Sequence, residues 1–72
     1  MLTIYGRDDA GDWYNVGSAG CIGEARYILD RIADDETAED VLTIVTRHRD
    51  GMTIRSGSDW VRFYILPAFT LN

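Results

Sequence analysis

Apolar and polar positions alternate over Leu2-Thr3-Ile4-Tyr5-Gly6, with β-branched residues among them, and the alternation predicts a strand. Residues 7–12, RDDAGD, are rich in turn formers, and Gly11 is free to take a positive φ. Trp13 to Val16 then reads as a second strand that closes a hairpin. The period changes after Gly17. Ile22, Ala25, Ile28, Leu29 and Ile32 recur three or four apart, which is one face of a helix, with Ser18 as the expected N-cap. Gly23 is a poor interior residue, about 1 kcal/mol worse than alanine, so it marks either close packing or a later start. Arg26 and Asp30, four apart, form a weak outer-face pair. Asp34 and Asp35 sit badly at the negative end of the helix dipole, so the helix is expected to end near Ala33.

Residues 34–40, DDETAED, form a polar connector with room for one helical turn after Thr37. Residues 41–55, VLTIVTRHRDGMTIR, admit two readings. Ala38, Val41, Leu42 and Val45 fit a helical stripe. The run Val41, Thr43, Ile44, Val45, Thr46 is β-branched, however, and Asp50-Gly51 is a strong hairpin turn. The hairpin is the expectation, pairing about 41–48 with about 52–56. A turn at SGSD leads into the last strand, Trp60 to Leu66, stopped by Pro67. AFTLN, residues 68–72, is an apolar tail. The order ββαβββ predicts one α+β domain over residues 1–72, an antiparallel sheet with one α-helix packed on one face.

Alternation also assigns faces. Leu2, Ile4, Tyr14, Val16, Leu42, Ile44, Ile54, Val61, Phe63 and Ile65 are expected under the helix. The opposite face is expected to carry Tyr5, Trp13, Val41, Val45, Arg47, Arg55, Trp60, Arg62 and Tyr64. One helix cannot cover that second face. A wetted sheet face is usually Thr, Lys, Glu and Ser, whereas Trp, Tyr and Arg are enriched at binding hot spots and stack on unpaired bases. Tyr5, Trp13, Arg47, Arg55, Trp60, Arg62 and Tyr64 are therefore the candidate partner-binding residues. The competing reading is plain packing, with Phe69 and Leu71 of the tail folded over the rings and the arginine stems covering apolar surface.

Composition sharpens this. At 72 residues, folding buries only about 60% of the surface the open chain exposes, and such domains often need a staple. Cys21 is the only cysteine and His48 the only histidine, so neither a disulfide nor a structural zinc site can be built. The chain depends on its core, or on burial against a partner or a second copy. No stretch approaches the ~18 apolar residues of a membrane span, and MLTIYGRDD lacks the basic and apolar regions of a secretory signal. With one unpaired cysteine, the expectation is a cytoplasmic protein without membrane contact. The net charge is −5, unevenly spread: residues 1–40 hold ten acids against three arginines, residues 41–72 two acids against four arginines. The acidic balance disfavours non-specific duplex binding and makes nucleic acid a less favoured partner than protein.

Candidate chemistry is sparse. Cys21 near a helix start and His48 would make a nucleophile and base if folding joined them, though nothing in the sequence does. The glycines of V16-GSAGCIG-E24 follow a strand and open a helix, but they do not fit the dinucleotide spacing and no Lys-Ser/Thr pair follows. Neither acidic segment has calcium-loop spacing. Asp30, Asp34, Asp35, Glu36, Glu39 and Asp40 lie within eleven residues and can present a row of carboxylates, of the kind that occupies a groove made for phosphates. No acid/base pair with the marks of a catalytic site can be placed, so the expectation is a non-enzyme without cofactor or metal.

In length, charge balance and hairpin-rich α+β layout, the chain resembles the small acidic proteins that phages and other mobile elements direct against host defence, anti-CRISPR proteins among them. No residue motif carries the resemblance, so it transfers no functional residue. It implies a protein that inhibits a nucleic-acid-handling complex by sitting on it. Alongside this stand two other readings: a module that binds single-stranded nucleic acid through the same aromatic face, and a structural homodimer joined through that face or the last strand.

Overall fold

The computed structural model describes residues 1–67 of the chain; the expectation that Phe69 and Leu71 cover the aromatics falls outside them. The elements run β1 (Leu2–Asp8), β2 (Trp13–Ala19), α1 (Ile22–Glu39), β3 (Ile44–His48), β4 (Gly51–Ser56) and β5 (Asp59–Pro67). The strands form one antiparallel sheet in the order β2-β1-β5-β4-β3, with α1 packed against one face. This is the predicted α+β architecture. β5 lies at the centre, so a dimer joined edge to edge through the last strand has no free edge to use; the edges are β2 and β3. Gly11 and Gly57, in the β1–β2 and β4–β5 turns, take the positive φ those turns require, 87° and 64°.

The core is a thin layer. Ile4, Met52, Ile54, Phe63 and Ile65 rise from the sheet, and Ala19 closes it from the end of β2. Ala25, Leu29 and Ala33 meet them from α1, four apart along one stripe. Alanine at both ends of the stripe brings the helix close to the sheet. Ile28, Ile32, Leu2, Val16, Val45 and Val61 pack around the margin.

The helix differs from expectation at both ends. It starts at Ile22 rather than near Ser18, with Cys21 as an N-cap that makes no side-chain cap bond. The Gly20 amide donates to Glu24 Oε2 at 3.2 Å instead. It also runs on through Asp34, Asp35 and Glu36 to Glu39. The dipole penalty for acids there is only about 0.3–1 kcal/mol and solvent screens it. The Thr37 hydroxyl also donates back to the Ala33 carbonyl at 2.8 Å. Ile22, expected on the buried stripe, is about half exposed.

Two ties fix α1 over the sheet. The Arg26 guanidinium donates to the Arg49 carbonyl at 2.6 Å, in the β3–β4 turn. At the other end Ser56 Oγ donates to Asp40 Oδ2 at 2.6 Å. With the Leu42 amide also donating, these bonds hold the Asp40 carboxyl below its ordinary value. The buried stripe stops at Ala33, so the last six residues of α1 overhang the sheet.

Within the β1–β2 pairing, Ile4 faces Gly17 but Tyr5 faces Asn15, leaving Val16 as the extra residue of a β-bulge. The bulge reverses the alternation of β2. Tyr14 lies on the helix side before it, and Gly17 and Ala19 on that side after it. Trp13 and Asn15 therefore turn to the open face.

Candidate contact face

The face turned away from α1 carries Tyr5 and Arg7 from β1, Trp13 from β2, Arg55 from β4, and Trp60, Arg62 and Tyr64 from β5. Six of these seven were expected from alternation. The exception is Arg7, because β1 was read as ending at Gly6 when it runs two residues further. The signal was available, since Arg7 stands two residues beyond Tyr5.

Side chains from three neighbouring strands stack along this face. The Arg7 guanidinium lies 5.3 Å from the centre of the Trp13 ring. The Trp13 and Tyr64 rings are 5.2 Å apart and tilted by 40°. Arg62 covers the Tyr64 ring at 4.5 Å. Arg62 is fixed by two further bonds, from Nη2 to Asp50 Oδ1 at 2.7 Å and from Nη1 to the Phe63 carbonyl at 3.1 Å. The bond from Arg62 holds the Asp50 carboxyl below its usual range. The guanidinium and both rings are thus placed before any partner arrives, which lowers the ordering cost of binding.

The third strand departs from expectation. β3 begins only at Ile44, and Val41 and Leu42 lie in the preceding connection, both strongly exposed. Val45 faces the helix and Ile44 faces outward, the reverse of the predicted phase. Arg47 follows Val45 to the helix side, where Nη1 meets Asp30 Oδ1 at 2.7 Å. It does not belong to the open face. In its place, Ile44, Thr46, His48, Thr53 and Arg55 line a shallow groove of about 250 Å³ over β3 and β4.

The acidic row is divided. Asp30 is engaged by Arg47 and Asp40 by Ser56, while Asp34, Asp35, Glu36 and Glu39 stay exposed on the overhanging turns of α1. Charge is therefore segregated. Arg7, Arg55 and Arg62 share the open face, and its only carboxylate among the described residues is Asp50 at the rim. The remaining acids lie on the helix, at strand ends and in the connections.

The other candidates resolve simply. His48 Nε2 and Thr53 Oγ1 are 2.7 Å apart on the open face, whereas Cys21 is exposed at the start of the helix on the opposite side. The glycine-rich helix start offers its Gly20 amide to Glu24, a carboxylate of its own chain. Among the described residues no cluster of three or more His, Cys, Asp or Glu side chains is placed to hold a metal ion. No helix among them is long and apolar enough to cross a membrane. Compared with known protein families, with curated proteins and with solved structures, the chain finds no match.

Proposed function

We propose that this chain is a non-catalytic module that binds a protein partner through the open face of its sheet. The observation that carries the reading is the stack Arg7–Trp13–Tyr64–Arg62, two rings and two guanidiniums held in place on a face the helix leaves bare. Aromatic and arginine side chains supply most of the energy at protein interfaces, at a low entropy cost when already ordered. The cationic character of the face favours a partner with an acidic surface. The finer reading is an inhibitor that sits on a host nucleic-acid-handling complex of the CRISPR type. Its support is the general resemblance in size and charge, together with the exposed carboxylates of Asp34, Asp35, Glu36 and Glu39.

The test is affinity capture from a host lysate by the parent protein and by Trp13→Ala, Trp60→Ala, Arg62→Ala and Tyr64→Ala, with Glu24→Gln as a control. Circular dichroism verifies that each variant is folded. Loss of the captured protein with the four face variants and retention with the control is expected. Equal recovery by all five removes the face as the site.

A second reading, a module for single-stranded nucleic acid, is favoured by the three arginines gathered beside two stacked rings. It requires affinity that falls steeply with salt, and fluorescence anisotropy with a labelled oligonucleotide decides it. No binding at low ionic strength eliminates it. A homodimer through the same face is read from light scattering: a monomer mass independent of concentration rules it out.

A further inference from the structure

The overhang of α1 leaves a cavity of about 270 Å³ on the helix side of the sheet, at the end away from the chain termini. Its floor is Ile54, Val61 and Phe63, and one wall is the Tyr14 ring, which lies over Gly6. The mouth is bordered by four carboxylates, Asp8, Asp9, Glu36 and Asp59, and among the described residues no basic one lines it. Its two hydroxyls are those of Ser56 and Tyr14. Ser56 already donates to Asp40. The Tyr14 phenol is held above its ordinary value by burial and by the charges of Asp8 and Glu36.

These features narrow the occupant. The volume falls below the roughly 300–1,000 Å³ of pockets that take whole small molecules, and suits one long side chain. An acceptor-rich rim repels phosphates and carboxylates. A purely apolar side chain would cover the floor but strip water from the rim carboxylates without replacing it. A cation on an apolar stem satisfies both. Between the two candidates, guanidinium is planar, less strongly hydrated than ammonium and able to lie against an aromatic ring while donating to carboxylates on different sides.

We propose that this cavity receives an arginine side chain of a protein partner, its stem on Ile54, Val61 and Phe63 and its guanidinium between the Tyr14 ring and the carboxylates of Glu36 and Asp59. The site lies on the opposite side of the sheet from the aromatic stack and stands without it.

The test is a titration of the isotope-labelled chain with Nα-acetyl-arginine methylamide, followed by amide chemical shifts, with the citrulline and lysine analogues as controls. Arginine is expected to shift the amides of Ile54, Asp59 and Val61 and to saturate in the millimolar range. Neutral citrulline is expected to bind at least about tenfold more weakly, and lysine between the two. Glu36→Gln and Asp59→Asn, both at the solvent-facing mouth, should each weaken arginine by about threefold to tenfold, with the spectrum otherwise unchanged. Citrulline equal to arginine, shifts spread without saturation over Glu24 and Asp50, neither of which lines the cavity, or no effect of either variant overturns the proposal. Shifts at the cavity that grow with protein concentration alone overturn the foreign partner and assign the arginine to a second copy. Trp13→Ala should leave arginine binding intact, so this site and the sheet face fail independently.

Discussion

Gly51→Ala tests both the sheet and the contact face. Gly51 opens β4, pairs with Tyr64 and is buried. A Cβ built there meets the main chain of β5: it lies 2.8 Å from the Phe63 carbonyl carbon and nearer still to its oxygen. It also lies 3.2 Å from Arg62 Nη1. Ordinary contact begins at 3.4 Å, so β4 must retreat by at least about 0.6 Å at this pair, and neither clashing main-chain atom is a flexible side-chain end. Overpacking of this kind costs about 1–3 kcal/mol. The adjoining bond from the Ile65 amide to the Asp50 carbonyl, 2.7 Å long, is strained or lost for about 1 kcal/mol more. The sum, about 2–4 kcal/mol, is large against the roughly 4–11 kcal/mol expected of a 72-residue domain. It corresponds to a fall in Tm of about 8–30 °C. Thermal melts followed by circular dichroism give the answer directly. A Tm within about 4 °C of the parent would refute the close approach of β4 and β5 on which the placement of Arg62 depends.

Two further outcomes concern pH. The Asp50 carboxyl is lowered from 3.8 in the folded state, chiefly by the bond from Arg62. Its stabilisation is thus complete above the unfolded value and is lost as pH falls through the folded one. Because the carboxyl is more than half exposed, the effect should stay below about 1 kcal/mol. Urea midpoints at pH 6 and about pH 3 should fall less for Asp50→Asn than for the parent; parallel falls would disprove the linkage. The Tyr14 phenol is raised from 10.0 by burial first and by Asp8 and Glu36 second. Its stabilisation is complete below the unfolded value and lost as pH rises through the folded one. A spectrophotometric titration should show one late-titrating phenol that Tyr14→Phe removes and Glu36→Gln moves downward. An unchanged late fraction in Tyr14→Phe would place the raised group elsewhere.

The order of elements was legible because the hydrophobic period switches cleanly, from two in LTIYG to nearly four in Ile28–Leu29–Ile32. The phase of the third strand was not. VLTIVT mixes apolar and β-branched residues without alternation, so its register is set instead by Val45 in the core and Arg47 reaching Asp30. The helix terminus was misplaced because acids at a helix end cost little beside the bonds that continue the helix. On the open face, the rings of Tyr5, Trp13, Trp60 and Tyr64 were assigned correctly from alternation on strands with clear polar partners. The cavity left no local trace. Tyr14, Glu36, Asp59 and Val61 meet only because the helix outruns its apolar stripe, and that length was itself misread.

One inserted residue in the second strand decides which aromatic ring the molecule displays and which it keeps. Were Val16 instead to take a regular place opposite Tyr5, the pleat of β2 would not change phase: the indole would swing beneath the helix and the phenol out into water. A one-residue slip of β2 against β1, with no change of sequence, would thus dismantle the displayed stack and the opposite hollow in one step.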